Sequence, residues 1–253
     1  MINWENIKKQ LQEFLKTELE KTGLKRVTVG VSGGLDSAVV AILCKETFGD
    51  NMSAVLMPSQ FSSKASVDDA KELCEKFDIK YEIKSITPMV EAYIENMDED
   101  RLRIGNYSAR MRMSVLYDTS SRDNSIVIGT SNKSELLLGY GTIFGDIACA
   151  INPIGQMYKS DEFEFGKYLG VTEAILTKKP SADLWEGQSD EEELGYSYKE
   201  MDTVLKLLID EFKSKEEIIS LGHDKKLIET LEYRIKANAF KGKLPKIANI
   251  KWS

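Results

Sequence analysis

The segment Gly30-Val31-Ser32-Gly33-Gly34-Leu35-Asp36-Ser37 constrains this chain more than any other. It ends a short β-branched run, Val27 to Val31, and leads into a helical stretch from Ser37 to Cys44. Strand, glycine turn and helix follow one another. Adjacent glycines permit backbone angles that side chains forbid. Successive N–H groups can then point into one concavity beside the positive end of a helix dipole, an arrangement suited to phosphate. Ser32 and Ser37 add hydroxyl donors. Asp36 would repel a bare anion, but it fits one bridged by a divalent cation. Spelling excludes two other phosphate loops. A Walker A loop needs Gly-Lys-Ser/Thr, and this turn has no lysine. The dinucleotide fingerprint needs Gly-x-Gly-x-x-Gly, whereas these glycines stand at 30, 33 and 34.

The strand–helix alternation recurs. Ala54 to Met57 reads as a strand ended by Pro58, and Ala70, Leu73, Cys74 and Phe77 as a helix stripe. Tyr81 to Ile86 alternates like a strand, Met89 to Ile94 and Met111 to Tyr117 read as helices, and Ile126 to Ile128 as a buried strand. An amphipathic helix carrying Trp4, Ile7, Leu11, Phe14 and Leu15 precedes them and ends at Gly23. The pattern predicts an α/β fold, an open parallel twisted sheet with helices on both faces. Beyond residue 150 the chain predicts helices only: Lys159 to Leu169, a stripe of Met201, Val204, Leu205, Leu208 and Phe212, and another of Leu227, Leu231 and Ile235. No repeat and no linker separates the parts, so residues 1–253 are expected to form a single domain.

The 253 residues carry 34 Lys and Arg against 41 Asp and Glu, a net charge of −7 that argues against a general nucleic-acid surface. Apolar runs such as Ala38 to Cys44 are too short to cross a bilayer, and Met1 to Gln10 lacks a secretory signal core. Cys44, Cys74 and Cys149 fit neither a disulfide framework nor a Cys-x-x-Cys metal site, and suit a reducing cytoplasm. Cys44 and Cys74 are expected in the core.

Ser32-Gly33-Gly34-Leu35-Asp36-Ser37 resembles the pyrophosphate loop of the N-type ATP pyrophosphatases. These enzymes share an adenine-nucleotide α-hydrolase-like sheet and cleave ATP between its α- and β-phosphates. Further blocks resemble the NAD synthetases within that superfamily: Asn106 to Met113, Gly129 to Glu135, Gly145-Asp146, Tyr158-Lys159, Pro180 to Leu184 and Asp190 to Gly195. The resemblance runs from the loop almost to the C-terminus. It implies a ligase that amidates deamido-NAD with ammonia, through an acyl-adenylate, giving NAD, AMP and pyrophosphate.

Position by position, the resemblance implies that residues 30–37, Thr130, Lys159 and Ser181 contact ATP, the co-substrate. The loop residues are Gly30, Val31, Ser32, Gly33, Gly34, Leu35, Asp36 and Ser37. Asp36 and Glu135 would hold Mg²⁺, Arg110 and Lys241 would contact deamido-NAD, and Asp146 would act at the ammonia position. Both carboxylates follow strand ends, so they can meet at the carboxyl edge of the sheet. Three family contacts to deamido-NAD are missing, because Ile143, Ala150 and Phe240 stand where the family has Lys, Asp and His. The resemblance also implies a cytoplasmic homodimer with the dinucleotide near the subunit interface.

Glutamine-using members carry an added amidase domain. Here the sheet begins by Val27 and position 2 is Ile, so free ammonia is the expected nitrogen donor. Two rivals use the same loop. An RNA thiolation enzyme would want a cysteine pair and a basic face, and a non-catalytic nucleotide sensor would not need two metal carboxylates. His223, the only histidine, reads as a capping or surface residue and rules out a histidine triad elsewhere. The run Asp190 to Glu193 reads as a solvated helix start or a lid over the site.

Overall fold

The computed structural model describes residues 2–95, 100–181, 185, 187–243 and 245–252. In chain order its elements are α1 Trp4–Thr22, β1 Arg26–Gly30, α2 Leu35–Phe48, a 3₁₀ turn Gly49–Asn51, β2 Met52–Leu56, α3 Lys64–Lys76, β3 Tyr81–Ile83, α4 Thr87–Ile94, α5 Arg101–Asp123 and β4 Ser125–Ile128. Helices follow: α6 Lys133–Leu138, α7 Lys159–Leu169, α8 Glu173–Thr177, α9 Asp190–Leu194, α10 Tyr198–Leu205, a π turn Lys206–Asp210, α11 Lys215–Ser220 and α12 Lys225–Asn238.

The four strands are all parallel, in the order β3-β2-β1-β4. Val29 stands opposite Ala54 on one side and Ile128 on the other. The chain steps outward from β1 to β3 and then returns to place β4 on the far side of β1. Where that direction reverses, the loops after β1 and β4 diverge and leave a crevice. A single parallel bridge from Ile151 to Ile128 extends the β4 edge.

Side-chain alternation gives each face of the sheet its own core. Val27, Val29, Ala54, Leu56 and Ile128 pack with α1, α2, α3 and α7. Val55, Met57 and Val127 pack with α4 and α5. Cys44 and Cys74 are buried in the first of these cores. The C-terminal helices build a third cluster, in which Met201, Val204, Leu205, Leu227 and Leu231 meet Leu138 of α6 and Tyr158 at the head of α7.

Two boundaries differ from the sequence pattern. The alternating run after Tyr81 stays in the sheet only to Ile83, and Ile86 is fully buried at the head of α4. The stripe through Met201 also fails at its end. The π turn interrupts its 3.6-residue period, and Phe212 has φ 54° and is 86% exposed. His223 precedes α12, whose N-cap is Asp224.

Candidate active site

The crevice at the switch point is a cavity of about 570 Å³. Gly30, Val31, Ser32, Gly34, Leu35, Asp36 and Ser37 form one wall, and Thr130, Ser131 and Glu135 form the next. Lys159, Ser181, Asp146 and Lys241 complete the predicted lining. The turn is tightly wound. Ser37 Oγ donates to Gly34 O at 3.0 Å, and the Ser32 and Gly34 N–H groups donate to the Ser37 and Ser32 hydroxyls at 3.1 and 3.2 Å. Gly33 supports the loop from behind. Its φ is 82°, and a Cβ there would lie 2.1 Å from the Ser66 carbonyl oxygen of α3. Only glycine lets the loop pass so close to that helix.

Asp36, in the first turn of α2, is the hub of the polar contacts. Asn132 Nδ2 donates to its Oδ1 at 2.7 Å, and the Lys159 ammonium rests on its Oδ2. Asn132 is fully buried and caps α6. Its side chain accepts from Glu135 N–H at 2.9 Å while Glu135 Oε2 accepts from Asn132 N–H at 3.2 Å. One asparagine thus ties the two predicted metal carboxylates together. Burial pushes Asp36 up, but the charge of Lys159, with hydrogen bonds from Lys159 and Asn132, holds it below the usual carboxylate range. Glu135 goes the other way. Burial and the charge of Asp36 push it well above its ordinary value against the pull of Lys159. For Lys159, burial favours the neutral amine, yet the carboxyls of Asp36, Glu162 and Glu135 hold it above the ordinary lysine range.

Lys159 is placed by elements far apart in sequence. It opens α7, whose N-cap Tyr158 offers no side-chain acceptor. Ser134 Oγ accepts from Lys159 N–H at 3.0 Å, and Asp202 of α10 accepts from Ser160 N–H at 2.8 Å and from Ser134 Oγ at 2.5 Å. A carboxylate at a helix N-terminus is favoured by the dipole, so the C-terminal helices fix the head of α7.

At the other end of the cavity, Asp146 opens onto the cleft and accepts from Thr142 N–H at 2.8 Å. The surrounding protein pushes its carboxyl above the ordinary range, opposed by the Thr142 N–H and by the charge of Lys241. Lys241 donates to Gly139 O at 2.8 Å and Gly141 O at 3.0 Å. Burial lowers its pKa against the charge of Asp146, and Arg234 adds to the lowering. Arg110 is not on the cavity wall. It is exposed on α5, and its Nε donates to Ile143 O at 3.3 Å. Ile143, Ala150 and Phe240 also lie off the lining.

The structure gives places in or beside the cavity to residues for which the sequence alone assigns no role there. Arg112 lines the cavity and ties down the loop after β2 through Met57 O and Ser62 Oγ, at 3.0 and 3.2 Å. Lys178 reaches Ser66 Oγ at 2.7 Å and Asp69 at 3.2 Å. Asp190 is not part of a solvated face. It is 4% exposed and accepts from the Tyr140 hydroxyl at 3.0 Å. Within the Pro180 to Leu184 block, residues 182–184 lie outside the described residues. The spacing Asn132-x-x-Glu135 is a legible capping box; Arg112 and Asp190 stand inside blocks that resemble the family, but no local pattern gives either a contact in the cavity.

The family model described as NAD synthase matches residues 7–245. The chain belongs to the NAD synthase family. An NH(3)-dependent NAD(+) synthetase of Wolinella succinogenes is 52% identical over 243 residues, spanning 96% of this chain and 95% of that protein. The NH3-dependent NAD synthetase of Campylobacter jejuni, solved with a nitrate ion, superposes with a TM-score of 0.84 at 40% identity, covering 98% of this chain and all of that one. An NMN synthetase of Francisella tularensis gives a TM-score of 0.88 at 33% identity, covering 99% of this chain and all of that one. The open parallel sheet with helices expected from the sequence is the one observed, and the chain superposes on a solved structure of this family.

Proposed function

We propose that this chain is a carbon–nitrogen ligase that amidates deamido-NAD with ammonia at the expense of ATP. The nicotinate carboxylate attacks the α-phosphorus of ATP, giving an acyl-adenylate and releasing pyrophosphate. Ammonia then displaces AMP, leaving NAD. The observation that carries this reading is the meeting of Asp36, Glu135 and Lys159 at the mouth of the loop 30–37. A pyrophosphate leaving group needs donors and positive charge at that spot. The loop N–H groups and Lys159 orient and neutralise the phosphates, while Thr130 and Ser181 flank the nucleotide.

Asp36 and Glu135 suit Mg²⁺. They sit close enough for the charge of one to raise the other, a repulsion that a cation relieves. Two carboxylates would leave the rest of an octahedral shell to substrate phosphates and water. Bound there, Mg²⁺ would supply charge neutralisation at the phosphates.

Asp146 takes the proton that ammonium must lose, at the cavity end away from the phosphates. Lys241 lies beside it as a contact for deamido-NAD. Arg110, Ile143 and the exposed Phe144 (66%) share an outer surface. Their position supports a homodimer in which the dinucleotide runs toward a partner copy and Arg110 meets it there. The whole chain acts as one unit, since α10 and α12 pack on the helices that carry Lys159 and Glu135. No helix among the described residues is long and apolar enough to cross a membrane, and the free thiols suit a reducing cytoplasm.

The assay combines ATP, Mg²⁺ and ammonium with deamido-NAD, or with nicotinate mononucleotide because one structural relative is an NMN synthetase. NAD, AMP and pyrophosphate in equal amounts are expected. ADP and orthophosphate, or nucleotide binding without turnover, overturn the reading.

A further inference from the structure

Glu162 has no place in the chemistry above, and its surroundings are unusual for a carboxyl. It lies one turn after Lys159 on α7 and is fully buried. Neither Oε1 nor Oε2 makes a hydrogen bond among the described residues. Burying a carboxyl without such bonds costs several kcal/mol, on the order of the penalty for any unsolvated ion. A core-facing helix position of this kind ordinarily takes an apolar side chain, as Phe165 does nearby. Lys159 Nζ is 3.5 Å from Glu162 Oε2, and burial, then the charges of Asp36 and Glu135, raise the Glu162 pKa against the pull of Lys159. Lys159 and Asp36 line the cavity, and Glu162 stands behind them.

This order creates a conflict that Glu162 resolves. Asp36 Oδ1 is committed to Asn132, and Oδ2 to Lys159. If Asp36 is to face a divalent cation, Oδ2 must release the ammonium. Lys159 is 3% exposed and could not exchange that carboxylate for water. We propose that Glu162 is a positioning residue that takes over Lys159 when Asp36 turns to the cation, keeping the ammonium on the cavity wall beside the phosphates. This proposal rests on the ATP and divalent-cation reading of the site. Groups behind the ligands of a metal site commonly set its affinity by orienting the groups in front of them.

The test measures Mn²⁺ binding by electron paramagnetic resonance in the full chain, with α,β-methylene-ATP present. Without Glu162 the lysine stays on Asp36 and competes with the ion. Glu162→Gln should therefore weaken Mn²⁺ by roughly tenfold, the lower end of what loss of an outer-shell partner costs. Glu162→Leu should do so at least as strongly, with unfolding by urea showing both variants folded. In a Lys159→Met background no competitor remains, and Glu162→Gln should change Mn²⁺ affinity less than twofold. Unchanged affinity in the single variants overturns the proposal. So does an equal loss in both backgrounds, which would mean that Glu162 adds only negative charge. If the parent chain fails to bind Mn²⁺ with the nucleotide analogue, the ATP reading itself falls, and the proposal with it.

Discussion

The Lys159 ammonium rests on Oδ2 of Asp36, 123 residues earlier in the chain, and this pair occupies the junction of the two loops that flank the sheet's switch point. Each partner also faces another carboxyl. Asp36 lies beside Glu135, and Lys159 lies over Glu162. The site therefore carries an excess of negative charge around one buried cation, and that imbalance decides how single substitutions should behave.

Lys159→Met should lower ATP-dependent pyrophosphate release by on the order of 10²-fold, the loss typical of one charge-stabilising donor. It should also destabilise the chain by about 3–5 kcal/mol, because Glu162 would be left buried without its cation. Single-turnover pyrophosphate assays and urea unfolding measure the two effects separately. Near-parent pyrophosphate release would remove Lys159 from the phosphate site.

Asp36→Ala should abolish Mg²⁺-dependent adenylation while leaving the fold intact, since the half-buried residue faces the cavity from the first turn of α2 and its Lys159 partner retains Glu162. Full activity in this variant refutes the metal assignment.

The sheet and the loop were legible because both depend on local rules. Val27 to Val31 could hardly be anything but a buried strand, and Gly33 had to be glycine wherever the turn lay. Lys159 and Asp146 were reached by resemblance, and the structure brings both to the cavity. Arg110 matched the same blocks and yet lies on an outer surface. Glu162 was illegible for a different reason. In Lys-Ser-Asp-Glu a glutamate three residues after a lysine reads as an exposed ion pair, and only tertiary packing from α2 and α10 buries it. Phe212 failed in the opposite sense, as an apolar residue whose stripe was broken by a π turn.

Two glycines give a controlled comparison. Gly33→Ala combines positive φ with a Cβ 2.1 Å from a backbone oxygen of α3, so loop and helix must separate. Gly23→Ala also has positive φ, 73°, but meets nothing within 4 Å. The second should cost about 1 kcal/mol of strain. The first should cost more and also raise the KM for ATP at least tenfold, roughly 1.4 kcal/mol of binding. Equal unfolding midpoints and equal KM values would show that the loop does not depend on its contact with Ser66.

Asp202→Ala tests whether the C-terminal helices set the position of Lys159. The substitution leaves Ser160 N–H and the Ser134 hydroxyl without their acceptor, at about 1–3 kcal/mol of stability. Because α7 loses its cap, the KM for ATP should rise while the amidation of a preformed acyl-adenylate keeps its rate. Loss of stability with an unchanged KM would make Asp202 purely structural.

Asp146→Asn should slow amidation strongly while pyrophosphate release persists, because only the second half-reaction needs a proton acceptor at that end of the cavity. The surrounding protein raises the pKa of Asp146, and the ionised form accepts the proton. Amidation in the parent should thus fall as pH drops through that raised value, above the range of an ordinary carboxylate. The Asn variant should lack this limb and follow only the supply of free ammonia. The same shift has a sign for stability. A raised folded-state pKa means the folded chain binds the proton more tightly, so this residue's contribution declines as pH rises from the ordinary carboxylate value through the raised one. Melting curves of parent and Asn variant should converge in acid and separate across that window, with the variant the more stable at neutral pH. An unchanged amidation rate in the variant would reject Asp146 as the proton acceptor.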